Sequence, residues 1–217
     1  MLNNLNPKTL RIKFEKTGLA KYISHLDLQR LFSRSLARAK INLMHSEGYN
    51  PHPKIVFASA ISLGIESLCE FADIKITDSL NAGEFLEKIK DFFPQGINIL
   101  EVYEPQNNFK NIDRTRFHIF LETQIKSIEL ENLFSGDVFA EKKPGVIINL
   151  KDFICEINIS EISEKHKLLD AIIKSNAEKY LNPENIIKAI MSKYPDEIQG
   201  YSIKKIMICD KNNMVFV

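Results

Sequence analysis

Residues Arg11 to Lys40 read RIKFEKTGLAKYISHLDLQRLFSRSLARAK, and the fold follows from the point where this run changes period. Ile12 and Phe14 alternate with Lys13 and Glu15, the period of two expected of a half-buried strand. Thr17-Gly18 marks a turn. From Ser24 onward the apolar side chains Leu28, Leu31, Phe32, Leu36 and Ala39 recur at helical spacing and predict a core-facing stripe. Ser24 and Asp27 resemble a capping box at the helix start, where the dipole also favours the aspartate.

Outward from this strand and helix the pattern continues. KIVFASAISLG (54–64) reads as a second strand and LCEFADIKIT (68–77) as a third. NAGEFLEKIKDFFP (81–94) reads as an amphipathic helix closed by Pro94, and GINILEVYE (96–104) as a last strand. The order βαββαβ is the ferredoxin-like arrangement, an antiparallel four-stranded sheet with two helices on one face. Polar EPQNNFKNIDR (104–114) is read as a linker, giving a ferredoxin-like basic domain at 1–107 and a second α+β domain at 114–217. In the latter, RFHIFLET, DVFAEKK, GVIINL, FICEINI and YSIKKIMIC are expected as strands. IKSIELENLF, SEKHKLLDAIIKSNAEKY (163–180) and NPENIIKAIMSKYP are expected as helices, the last with Asn182 as N-cap and Pro183 in its first turn. The fold class expected is therefore α+β, tandem ferredoxin-like units with antiparallel sheets, the second one decorated.

Composition supports a packed core: 217 residues, 44% apolar and 26% charged. No apolar run approaches the ~20 residues of a membrane helix. The first residues, MLNNLNPKTLRIKF, lack a signal-peptide hydrophobic region. A cytoplasmic protein with no membrane attachment is expected. Cys69, Cys155 and Cys209 are scattered, so neither a disulfide framework nor a thiolate metal site is expected. Glu66, Glu70 and Asp73 follow the glycine turn; of a divalent metal site and a solvated strand end, the second is expected there, and no metal or cofactor is expected.

The net charge of +1 conceals an asymmetry. Residues 1–60 carry ten Lys/Arg against three Asp/Glu, a charge of +7, and the remainder carries −6. Such a distribution favours an anionic partner near the N-terminal part. Arg30, Arg34 and Arg38 are spaced by four along one flank of the predicted helix. The helix has no acid after Asp27 with which they could pair. SEGYNPHPK (46–54) follows. Pro51 and Pro53 hold Asn50 and His52 extended, and Gly48 is free to take a positive φ. The result is a stiff ribbon presenting Tyr49, Asn50, His52 and Lys54 to a ligand. Arginine forks and lysine suit phosphate, tyrosine offers a stacking face, and asparagine offers paired donor and acceptor groups. His25 and His52 are the candidates for an acid–base pair if the chain cleaves RNA.

ISHLDLQRLFSRSLARAKI (23–41) and SEGYNPHPKIVFASAISLGIESLCEFADIKI (46–76) closely resemble the radical-SAM-linked protein family, a domain of unknown function fused behind or encoded beside a radical SAM enzyme. The resemblance rests on the S-H-L-D, G-Y-N-P-H-P-K and L-G-x-E-S-x-x-E elements and is dense over residues 10–76. Members of that family often place an arginine in the last strand, where this chain has Lys204 and Lys205. The same elements are similar, more distantly, to the CRISPR-associated repeat-processing endoribonucleases, which are tandem ferredoxin-like RNA binders. Those enzymes carry a glycine-rich loop near the C-terminus that is absent here. The chain also lacks the cysteine cluster of radical SAM chemistry. The resemblance therefore implies a non-catalytic accessory protein of a radical SAM enzyme, recognising or presenting an RNA or ribonucleoprotein substrate. A metal-independent endoribonuclease and a protein-docking module are the alternatives.

Overall fold

The computed structural model describes residues 7–212 and 214–216. The chain divides into two compact units, Met1–Asn108 and Phe109–Phe216.

The first unit runs β1 (Lys8–Lys16), α1 (His25–Arg38), β2 (Ile55–Phe57), β3 (Glu66–Ile76), α2 (Ala82–Ile89) and β4 (Ile97–Tyr103). Its strands lie in the order β4-β1-β3-β2, every neighbour antiparallel. This is the ferredoxin-like sheet. Leu10, Ile12 and Phe14 of β1 alternate onto one face and meet Ala72, Ile74 and Ile76 of β3 in a single buried cluster. Leu28, Phe32 and Leu36 of α1 and Phe85 and Ile89 of α2 belong to the same cluster, so both helices cover that one face. Phe32 is its hub: its ring centroid lies 4.9 Å from Phe14, 5.0 Å from Phe57 and 4.8 Å from Phe93.

Local chemistry sets the ends of α1. Ser24 is extended, and its Oγ accepts from the Asp27 backbone N–H at 3.1 Å. At the far end Lys40 takes φ 56°. Its N–H donates to the Ala37 carbonyl, and Ile41 N–H donates to the Leu36 carbonyl. This pair of bonds, with Leu36 and Ile41 both buried, forms a Schellman closure. α2 opens with a full capping box between Asn81 and Glu84. The predicted strand over 54–64 is shorter than expected. Pairing with β3 stops at Phe57, and the chain turns so that Gly64 N–H donates to the Lys21 carbonyl.

The second unit runs β5 (Ile112–Thr123), α3 (Ser127–Ser135), β6 (Phe139–Lys143), β7 (Val146–Asn149), β8 (Ile154–Ser163), β9 (His166–Lys174), α4 (Glu184–Lys193) and β10 (Ile198–Asp210). β6 and β7 form a separate hairpin. The other elements again run βαββαβ, with strand order β10-β5-β9-β8 and all pairs antiparallel. The second unit is thus ferredoxin-like with a hairpin inserted after its first helix.

The helix predicted over 163–180 is wrong. Lys167, Leu169, Ala171 and Ile173 are buried and their neighbours less so, a period of two that makes this segment β9. The adjacent apolar pairs Leu168-Leu169 and Ile172-Ile173 imitate helical spacing, but β-branched Ile172 and Ile173 suit a pleated strand better. Just before α4, Asn182 Oδ1 accepts from the Glu184 N–H at 3.1 Å. The structure makes Pro183 the N-cap residue, one position later than predicted.

Two carboxylates brace β5 against β9. Arg116 makes a two-pronged ion pair with Asp170, its Nε 2.7 Å from Oδ1. This pairing holds the Asp170 carboxyl below its ordinary pKa. Burial pushes the Asp113 carboxyl up. Hydrogen bonds from Asn176, Lys174 and Arg114 outweigh that and lower it. A depressed folded pKa gives stability that is present above the unfolded value of ~4 and lost as pH falls through the folded value. Acid titration should therefore weaken the chain from about pH 5 downward. Asp113→Asn should flatten that acid limb in urea melts run at successive pH values. An unchanged limb would show that Asp113 does not contribute to it.

Candidate anion-binding surface on the first unit

The charge asymmetry read from residues 1–60 is largely neutralised by residues farther along the chain. Arg11 is fully buried, its Nε 2.7 Å from Asp73 Oδ1. Lys13 pairs with Glu101 and Lys8 with Glu104. Lys16 is 1% exposed, and its Nζ donates to the Ile23 carbonyl at 2.8 Å. Over residues 1–108, thirteen Lys/Arg stand against twelve Asp/Glu. The positive surface is accordingly a narrow strip and not a whole domain. Glu70 and Asp73 do not form a solvated strand end either. Glu70 is 2% exposed, and Asp73 is the partner of Arg11.

The strip lies on α1. Arg30 is exposed and pairs with Asp27 at 3.1 Å, and the Ser24 hydroxyl, followed by this pairing, lowers the Asp27 pKa. Arg34 is exposed, has no ion pair among the described residues, and reaches Asp27 only as a longer-range charge. Arg38 leans the other way, its guanidinium 5.8 Å from the Phe92 ring centre beyond α2. Two of the three guanidiniums are therefore left without a carboxylate, and Arg38 points to the flank opposite the ribbon.

The ribbon is a braced excursion. Ser46 N–H donates to the His52 carbonyl and Lys54 N–H to the Met44 carbonyl, both at 2.8 Å. Ser46 Oγ accepts from His52 N–H at 3.0 Å. His45 and Pro53 form a bridge between the two limbs. Gly48 takes φ 124° at the tip. Tyr49 is fully exposed, and Asn50 and His52 are exposed beside it, while Lys54 is half-buried at the base. Sequence reasoning missed Ser46 as the group that closes the excursion. A serine bounding a turn-rich stretch was the available signal.

His25 sits at the start of α1 with its ring 5.6 Å from the Phe57 ring, edge to face, and its Nε2 3.4 Å from the Gln29 amide nitrogen. No described contact joins it to His52.

Among the described residues no helix is long and apolar enough to cross a membrane, and no three His, Cys, Asp or Glu gather as a metal site would need.

A search of curated proteins finds no match. Among solved structures the chain is similar to one from a crystal structure of a Cbf5-Nop10-Gar1 complex, with a TM-score of 0.51 and 7% identity over 90% of this chain and 47% of that one. It spans about half the length of that chain, and the likeness concerns the fold. The small subunit of acetolactate synthase from Thermotoga maritima matches at a TM-score of 0.29 and 10% identity, over 96% of this chain and 99% of that one. The family model described as an uncharacterized protein conserved in bacteria (DUF2344) matches residues 9–183, from β1 through the rest of the first unit and well into the second. With four-fifths of its length matched, the chain belongs to the DUF2344 family.

Proposed function

We propose that this chain is a non-catalytic accessory protein of a radical SAM enzyme and that it holds an RNA or ribonucleoprotein substrate on the α1–ribbon surface. One observation carries the reading. Arg34 stands exposed on α1 without a carboxylate partner among the described residues, and the same unit holds Tyr49 fully exposed on an excursion tied by backbone bonds. A free guanidinium contacts phosphate through paired N–H donors. A rigidly held aromatic ring stacks on a base with little ordering cost. Phosphate contacts supply affinity, and the ribbon supplies contact with bases. The cleavage reading needs His25 and His52 as a pair, and no contact among the described residues joins them.

The test is co-purification with the radical SAM enzyme encoded beside it, together with binding of single-stranded RNA. Tyr49→Ala should weaken RNA binding by about tenfold, within the ~1–3 kcal/mol of one stacked base, and should leave thermal stability unchanged because the ring touches nothing. Unchanged affinity in Tyr49→Ala would remove the ribbon from the surface. Binding to the enzyme with no measurable RNA binding would make the chain a docking module.

A further inference from the structure

A groove of about 550 Å³ runs beside the arginine strip, between α1 and the stem of the ribbon. Ser33 and Ala37 of α1 line it together with Leu43, His45 and Pro53 of the ribbon stem and with Asp78. Its size is that of a small-ligand site. The α1 part of this lining adjoins the strip, because Arg30 and Ser33, and Arg34 and Ala37, are three residues apart on one helix and so are neighbours on its surface.

The polar groups in the groove are fixed. Asp78 Oδ2 accepts from the Asn42 backbone N–H at 2.8 Å, and Oδ1 accepts from the Asn42 side-chain amide. Asn42 is itself tied down by Thr77, whose N–H donates to the Asn42 carbonyl at 2.9 Å. A carboxylate has about four acceptor sites, so Asp78 keeps acceptor capacity on both oxygens. His45 Nδ1 lies 3.0 Å from the Leu43 carbonyl. A carbonyl only accepts, so Nδ1 carries the proton, and Nε2 of the neutral ring is an acceptor. The groove therefore combines apolar sides, from Ala37, Ile41, Leu43 and Pro53, with acceptors that demand donors from a guest.

We propose that this groove receives one unstacked nucleobase of the strand held by Arg34, with Asp78 and His45 accepting hydrogen bonds from the base edge. Guanine fits best, since its N1–H and exocyclic amino group supply two donors on one edge, one for a remaining acceptor site of Asp78 and one for His45 Nε2. Uracil offers one such donor. The proposal rests on the RNA reading above and adds base selectivity to it.

The test uses the full chain and fluorescent uridine tracts of about nine residues, a length within the usual single-strand site, with or without one central guanosine. The guanosine strand should bind about tenfold more tightly. Asp78→Asn should abolish that preference without weakening the plain tract. Ala37→Trp, at an exposed helix position, should fill the groove and abolish the preference by a second route. Equal affinity for both strands in the unmutated chain overturns the groove while leaving the arginine strip standing, as does a preference that survives in both variants. No binding of either strand overturns the groove and the RNA reading together.

Discussion

Replacing Gly96 with alanine should cost about 3 kcal/mol of folding stability, the sum of a strained backbone and an overfilled contact. Gly96 has φ 89°, a conformation that L side chains rarely adopt. A Cβ there would lie 2.5 Å from the Thr17 carbonyl oxygen and 2.9 Å from the Ala20 Cβ. Neither neighbour has room to retreat. Thr17 N–H donates to the Gly96 carbonyl at 2.8 Å, and Ala20 is a buried member of the core cluster. The clash lies in the turn that delivers the chain to the start of α1, so the same change should also disturb the candidate surface. Gly145 is the control. It has φ 79°, but an added Cβ meets nothing within 4 Å. Gly145→Ala should therefore cost only the backbone part, about 1 kcal/mol. Equal urea midpoints for the two variants would show that the close approach at Gly96 is not real.

Arg11→Ala should be more damaging still, at about 3–5 kcal/mol, because it strands one half of a buried ion pair. Arg11 has no exposed surface. It grips both Asp73 oxygens and donates to the Asn107 carbonyl at 2.8 Å. Removing it leaves Asp73, four-fifths buried, without its guanidinium. The paired replacement Arg11→Met with Asp73→Leu should recover most of the loss, since apolar residues of similar volume avoid the desolvation penalty. A single variant within about 1 kcal/mol of the parent would contradict this account of the pair. The contrast also explains why a charge count misleads here: Arg11 contributes to +7 on paper and nothing to the surface field.

Most of the fold was legible. Alternation in β1, the Ser24 cap, the amphipathic pattern of 81–94 and the 3.6 period of α1 are local signals, and each led to the right element. The β9 segment failed because doubled apolar residues satisfy helical and strand templates equally over so short a run. The site was legible only in part. Exposure of Tyr49, Asn50 and His52 follows from turn chemistry, which is local. Pairing is not local: Arg11 finds Asp73, Lys13 finds Glu101, and Arg38 finds Phe92, each across more than fifty residues. Only the assembled sheet brings these partners together, so the sequence overstated the free positive charge.

The proposed binding of a polyanion by the exposed guanidiniums of the α1 strip is read out by the salt dependence of RNA affinity for the parent chain and for Arg34→Glu. Log affinity should fall linearly with log salt, at about 0.7 per phosphate contacted on a single strand. Arg34→Glu should both weaken binding and make that slope shallower by about one contact. Affinity that does not vary with salt, or an Arg34→Glu chain that binds as the parent does, would contradict it.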